Sequence, residues 1–379
     1  MQFTILGGGI AGLTAAIALK KIGIRATVLE SAPDIRPVGA GLLLAANAVK
    51  AYEQLGIAEK IAARGRALPV FQILDHKGRV LTSADARTIS ERYGLHNFAI
   101  HRADLHEALL AELDADQVQT AQRADGFSRD TDGGIALHLT DGSTRRTDYL
   151  IAADGIHSAI RRQLLPGSTP RYAGYTCWRA VVDGDGLGLD AATETWGAQG
   201  RFGIVPLPEG KVYCFACVNA PENDPVLRTA TAADLRRIFE GYHAPIPAIL
   251  DRFNENNMIW NDIADLAPVD RFAYDRIVLI GDAAHATTPN LGQGACQAIE
   301  DAVILAGMLK IHPDPEQAFR AFEQKRLPRT RFVVETSRRM GAIAQSQNPL
   351  WIPLRNALLR LIPQSWNERQ MNRLLTFEQ

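Results

Sequence analysis

Cysteine is scarce in this chain, with four among 379 residues, at positions 177, 214, 217 and 296. That is too few for a disulfide-stapled scaffold, and nothing in their spacing demands an oxidising compartment. Cys214 and Cys217 are spaced as C-x-x-C, yet neither a second such pair nor a nearby His pair completes a zinc site. They lie in the alternating run Val212-Tyr213-Cys214-Phe215-Ala216-Cys217-Val218, so small strand residues are the expected role. An excess of one charge is also missing. The 41 Lys+Arg balance 42 Asp+Glu to a formal −1, which leaves no electrostatic footprint for nucleic acid or an anionic membrane. No apolar run reaches the ~20 residues of a membrane span. The opening Met1-Gln2-Phe3-Thr4-Ile5-Leu6 has no basic segment before it and is soon broken by glycines, unlike a secretory leader. The expectation is a soluble cytoplasmic protein acting on a small molecule, long enough for a large α/β domain plus a smaller one.

What is present begins with a strand, a tight turn, a helix and a second strand. Phe3 to Leu6 reads as a short buried strand, Gly7 to Gly9 as a turn, and Ile10 to Ile22 as a helix packed on a sheet. Gly23 ends the helix and Arg25 to Glu30 forms a parallel strand. A second helix is expected over roughly 46–63, and a third opens at Arg102-Ala103-Asp104. Strands follow near 117–122, 135–140 and 148–153, with a hairpin turn at Asp141-Gly142. Between about 172 and 262 the alternating texture predicts an antiparallel sheet interrupted by one helix. The run Arg276 to Ile280 then resumes the buried parallel pattern, before a helix from about Gly294 to Leu309. The tail, 316–379, reads as helical, and its basic clusters at 326–331 and 338–339 as a solvated face.

The segment Gly7-Gly8-Gly9-Ile10-Ala11-Gly12 fits G-x-G-x-x-G between strand and helix. Gly7 allows the turn, Gly9 lets backbone approach a pyrophosphate, and Gly12 lets helix and strand pack closely. An anion then sits on the helix N-terminus. Glu30, eighteen residues after Gly12, ends the second strand, where a carboxylate can hold a ribose diol. This predicts dinucleotide binding without separating FAD from NAD.

A second motif makes that separation. Val278-Leu279-Ile280-Gly281-Asp282 is a strand delivering Asp282 into a glycine turn, where its carboxylate can hold a polyol. Pro289-Asn290-Leu291-Gly292-Gln293-Gly294 then aims a helix N-terminus at something electron-rich, such as the pyrimidine edge of a reduced flavin. A third segment, Asp154-Gly155-Ile156-His157-Ser158-Ala159-Ile160-Arg161, fits D-G-x-x-S-x-x-R after a strand.

With these three ordered motifs the chain resembles the class A flavoprotein monooxygenases, the p-hydroxybenzoate hydroxylase-like family. The resemblance implies a Rossmann-like α/β FAD-binding domain with an interleaved antiparallel-sheet substrate domain and C-terminal helices. The FAD part would comprise residues 1–72, 97–172 and 266–379, and the substrate part 73–96 and 173–265. It also implies that Asp154, Gly155 and Arg161 serve FAD and NAD(P)H binding, and that Gly281 and Asp282 meet the ribityl and pyrophosphate region. Pro289 would lie beside the reactive flavin carbon, Gly292 and Gly294 near the pyrimidine, Arg102 on the cofactor, and Arg36 near the adenosine. The implied reaction uses NADPH or NADH as a transient co-substrate. The reduced flavin meets dioxygen to form a C4a-hydroperoxide that oxygenates an aromatic or heteroaromatic substrate, in a monomer or homodimer.

Substrate contacts are expected from the antiparallel part. Arg201 can bind an anion or polarise a carbonyl, and Tyr213 can exchange a proton with a phenolic group. The spacing of the two and the Arg36-Pro37-Val38-Gly39-Ala40 loop look similar to FAD-dependent urate hydroxylases. The alternatives for Arg201 and Tyr213 are solvent exposure and half-burial without a catalytic role; for Tyr175 and Trp178, packing in the sheet is favoured. His285 is expected to be structural, since a catalytic His needs a placed partner. Rival readings are an NAD-dependent dehydrogenase on the same opening, a non-oxygenating flavoprotein reductase, and a flavin-binding scaffold without activity. A flavin halogenase is disfavoured because its lysine and Trp-x-Trp-x-Ile-Pro segment are absent.

Overall fold

Three buried strand runs of the sequence lie side by side at the centre of the molecule. The computed structural model describes residues 1–34, 40–85, 97–131, 133–362 and 373–377. Its six-stranded sheet runs Ala273–Tyr274, Ile277–Leu279, Tyr149–Ala152, Phe3–Leu6, Ala26–Leu29, Val118–Gln119, parallel except at the Ala273–Tyr274 edge. Phe3–Leu6 is buried throughout, as a strand covered on both faces must be. It is followed in sequence by Ala26–Leu29 on one side, while Tyr149–Ala152 pairs on the other. The crevice of an open α/β sheet lies at such a reversal, beyond the carboxyl ends of the strands. Gly7, Gly155 and Gly281 each follow one of three adjacent strands there. The sheet thereby gathers three motifs separated by more than a hundred residues each.

The helix Ile10–Lys21 is buried from Ile10 to Leu19 because it lies between the sheet and the helix Gly294–Ile311. The helix expected over 46–63 is two pieces, Ala46–Leu55 and Ala58–Ala62. Gly56 takes φ +69° and donates its N–H to the Glu53 carbonyl, a left-handed C-cap that the expectation passed over. The Asp141-Gly142 turn joins Ile135–Leu139 to Thr144–Thr147 as expected.

A seven-stranded sheet lies over the crevice. Its order is Ile259–Leu266, Pro170–Asp183, Lys211–Asn219, Arg201–Pro206, Ala192–Trp196, Val70–Asp75, Val80–Asp85. All neighbours are antiparallel save Ala192–Trp196 with Val70–Asp75. One face buries Trp178, Phe202, Cys214 and Phe239 in a second core; the other looks down on the glycine turns. The C-terminal helix Pro315–Ala344 corrects the expectation of a solvated basic face at Arg326 and Arg329, while Arg331 and Arg339 are exposed as expected. Arg326 is 1% exposed and pairs with Glu300 at 2.5 Å and Asp301 at 2.6 Å, while Arg329 pairs with Glu300 at 2.8 Å. Those carboxylates belong to the packed Gly294–Ile311 helix, and local sequence does not register that contact. Among the described residues, no helix is long and apolar enough to cross a membrane.

Candidate active site

The three glycines of the opening turn face three different environments. A Cβ on Gly12 would lie 1.9 Å from the Gly7 carbonyl oxygen, and one on Gly7, itself at φ +107°, 2.3 Å from the Ala153 carbonyl oxygen. A Cβ on Gly9 would meet nothing within 4 Å, because Gly9 opens onto a cavity of about 400 Å³. The helix after Gly9 has no side-chain cap, so its first N–H groups are available to an anion. Glu30 accepts the Gly8 N–H at 2.6 Å and the Ala32 N–H at 2.7 Å, which fixes its half-buried carboxylate against the turn.

Arg102, Gly155, Asp282, Pro289, Gly292 and Gly294 line the same cavity as Gly9. Gly281 takes φ +58°, and its N–H is held by Asp301 at 2.8 Å. Asp301 also hydrogen-bonds His285 Nε2 at 2.6 Å, so His285 has a partner inside the core rather than in the cavity. The helix Gly294–Ile311 again starts without a side-chain cap, with Gly294, Ala295 and Ala298 on the cavity wall. Asn290 secures the preceding loop: its amide donates to Thr288 Oγ1 and the Ser337 carbonyl, and its oxygen accepts from the Tyr175 hydroxyl at 3.1 Å.

Asp154 and Arg161 are placed differently. Arg161 is fully buried and donates to the carbonyls of Ile156 (2.5 Å), Ala283 (3.2 Å) and Ser168 (3.4 Å). It ties the Asp154 loop to the Gly281–His285 segment and does not line the cavity. One Asp154 oxygen caps Ala159 at 2.9 Å; the other is buried without a partner among the described residues. Burial raises the Asp154 pKa against the lowering effect of Ser158 and backbone N–H groups. Arg36 lies outside the described residues.

The overlying sheet presents its cavity face as a grid. One row across five strands is Asn261, Cys177, Cys217, Arg201, Trp196; the next is Ile259, Arg179, Phe215, Gly203, Glu194. A third sets Val181 beside Tyr213 and Val205. Arg201 is 2% exposed and already matched: Nη1 meets Glu194 at 2.9 Å, Nε donates to Gln345 at 2.8 Å, and the guanidinium sits 5.2 Å from the Tyr175 ring centroid. Burial alone would lower its pKa, but Glu194 together with Cys217, Tyr175 and Cys177 reverses that, and the net shift is upward. Gly203 makes room for Phe215, whose ring lies 2.0 Å from where a Cβ would stand. Tyr213 packs in the same way against Gly41. Burial raises the Tyr213 pKa, more than Arg179 lowers it. It is therefore a neutral phenol, a hydrogen-bond group rather than a resident base. Trp178 points into the second core.

Arg179 was not singled out from the sequence. It lines the cavity half-buried, and among the described residues its hydrogen-bond partner is the neutral Asn261, at 3.2 Å. The available signal was alternation: Tyr175, Cys177, Arg179 and Val181 share one face of an otherwise apolar strand. Glu194 was missed because its partner sits on the neighbouring strand.

These features suit a dinucleotide carrying a ring system. Gly9 leaves space for a pyrophosphate, two uncapped helix starts face one cavity, and a sheet of mostly apolar residues covers it. The FAD binding domain family matches residues 1–337. The chain is 37% identical over 377 residues to aurachin C monooxygenase/isomerase of Stigmatella aurantiaca, covering 98% of this chain and 97% of that protein. It is 34% identical to 2-heptyl-3-hydroxy-4(1H)-quinolone synthase of Pseudomonas aeruginosa (strain UCBPP-PA14), covering 99% and 98%. Klebsiella pneumoniae HpxO, solved with FAD and uric acid, superposes with a TM-score of 0.90 at 32% identity, over 99% of this chain and 96% of that one. The chain belongs to the FAD binding domain family and, within it, to the FAD-dependent monooxygenases.

Proposed function

We propose that the enzyme uses NADH or NADPH and dioxygen to insert one oxygen atom into a fused nitrogen heteroaromatic bearing a ring oxygen, of the hydroxyquinolone type. The observation that carries this reading is the composition of the cavity roof. Arg179 and Tyr213 stand among Val205 and Phe215, Leu42 and Leu43 line the cavity beside them, and the roof's other cation, Arg201, is neutralised by Glu194. Such a roof suits a flat, largely apolar ring with one polar edge better than a multiply charged acid. A relative of similar length is named for making a hydroxylated quinolone, and uric acid in the HpxO complex is also a fused nitrogen heterocycle.

FAD held against Gly9, Arg102, Asp282 and the Gly294 helix start would supply hydride acceptance from the nicotinamide and activation of dioxygen. The chain's own groups do the rest. Arg179 favours the anionic, enolate form of the ring oxygen, which raises electron density on the adjacent carbon. Tyr213 donates a hydrogen bond to the same edge. Phe215 stacks on the ring and helps to keep water out.

The test is NADH and NADPH oxidation by FAD-loaded enzyme with alkylated hydroxyquinolones, uric acid and phenolic acids, with product mass read alongside. A quinolone product heavier by one oxygen is expected. Arg179→Ala should raise its KM at least about tenfold, the size of one charge-assisted hydrogen bond, while FAD content stays at the wild-type level. Turnover of uric acid alone moves the reading to purines, and turnover of phenolic acids alone overturns it.

A further inference from the structure

Two of the four cysteines meet where the proposed chemistry has no use for them. Cys177 and Cys217 are register partners on neighbouring antiparallel strands, and both line the active cavity. Directly opposed residues of such a pair hold their Cα atoms about 4.5 or 5.5 Å apart, and a disulfide accepts roughly 4.4–6.8 Å. Both are free thiols. Cys217 stands between Cys177 and Arg201 in one row, and Arg179 is two residues along the strand from Cys177 on the same face.

We propose that Cys177 and Cys217 form a peroxide-reactive dithiol on the cavity roof, which hydrogen peroxide converts to a cross-strand disulfide. The Cys177 thiolate attacks one peroxide oxygen. An S–O bond forms, the O–O bond breaks, and the departing hydroxide takes a proton to leave as water. The Cys217 sulfur then attacks the sulfenic sulfur, forming S–S and breaking S–O, and its proton leaves with the hydroxyl as a second water. The two thiols lose two electrons and two protons, and one peroxide becomes two waters.

Cys177 is the attacking partner. A hydrogen bond from Cys217 and the charges of Arg179 and Arg201 bring its thiol below the ordinary range, against the opposing effects of burial and Glu194. The other two thiols lack this setting. Cys214 points to the opposite face, into the second core, where burial pushes its thiol up. Cys296 lies in the main core, pushed up to about 12, mainly by burial. Hydrogen peroxide is the two-electron product of dioxygen when a flavin oxidises NAD(P)H without transferring oxygen. Only this internal source rests on the proposed function; the reaction of the dithiol does not.

The experiment treats the FAD-loaded protein with a small excess of hydrogen peroxide, denatures it in a thiol alkylator, and reads the intact mass and the proteolytic map. Two of four thiols should escape alkylation, appear as a peptide linking Cys177 to Cys217, and return after dithiothreitol. Cys217→Ser should leave a dimedone-reactive sulfenic acid at Cys177, and Cys214→Ser should still form the link. Four alkylated thiols after peroxide, or a link involving Cys214 or Cys296, overturns the proposal. The wild-type measurement stands alone if either variant folds poorly. Because peroxide is added directly, a failed link is distinct from a failed substrate panel.

Discussion

Arg201 carries its own counter-charge, and this changes what an arginine over an active cavity does. An unpaired guanidinium invites an anion, whereas one 2.9 Å from Glu194 and 2.8 Å from Gln345 holds the sheet and the C-terminal helix together. The Trp196 indole N–H also donates to Glu194 at 3.1 Å, so the carboxylate serves two buried donors. Glu194→Ala therefore strands a buried cation and should cost roughly 3–5 kcal/mol, measured by urea unfolding of the apo-protein. A loss below about 1 kcal/mol would mean the pair is effectively solvated through the cavity. Arg201 and Tyr213 were legible from the sequence because a charged or phenolic residue in an alternating strand is conspicuous. Their burial and pairing were not, since those depend on register between strands. Glu194 precedes Arg201 by seven residues and reaches it across a strand pair. Arg179 stayed hidden for the same reason: its role depends on which other cation has been neutralised.

At the scale of elements, the opening turn separates two glycine functions that the motif writes with the same letter. Gly12→Ala puts a methyl group 1.9 Å from the Gly7 carbonyl oxygen, so strand and helix must part, and both stability and FAD retention should fall. Gly9→Ala meets no protein atom within 4 Å. It should melt like wild type as apo-protein yet bind FAD at least about tenfold more weakly, equivalent to about 1.4 kcal/mol. Thermal melts of the apo-proteins and flavin fluorescence titrations check both. Equal melting losses in the two variants would show that Gly9 is packed rather than open. The parallel sheet and its turns were readable because buried strands leave continuous apolar runs and turns leave glycine. The antiparallel roof was readable only as texture. Its strand order depends on long-range pairing, including the parallel contact of Ala192–Trp196 with Val70–Asp75, which no local pattern encodes. The break at Gly56 was a local signal, outweighed by the apolar periodicity on either side.

Across the whole molecule, the helix Pro315–Ala344 braces the floor of the cavity to its roof. Arg338 reaches Asp265 on a roof strand at 2.8 Å, and the Asn219 amide donates to the Gln345 carbonyl just beyond the helix. Deeper in, Arg326 holds Glu300 and Asp301, and Asp301 in turn holds the Gly281 N–H and His285. Burial would raise both carboxyl pKa values. For Glu300 the charges of Arg326 and Arg329 with hydrogen bonds from Arg329 and Asn47 together outweigh it, and for Asp301 the charges of His285 and Arg326 with hydrogen bonds from His285 and the Gly281 N–H, so both end below the ordinary range. A depressed folded-state pKa contributes stability that is present above the unfolded value, about 4 for these groups, and is lost as pH falls through the folded value. Arg326→Met removes the shared cation and should cost roughly 3–5 kcal/mol at neutral pH. Below about pH 4 the gap to wild type should narrow, because protonated carboxyls no longer need the guanidinium. Equilibrium unfolding of both proteins from pH 8 to pH 3 measures that gap. A difference that stays constant over the whole range would mean that Arg326 acts through packing of its side chain, and that the charge network does not carry the brace.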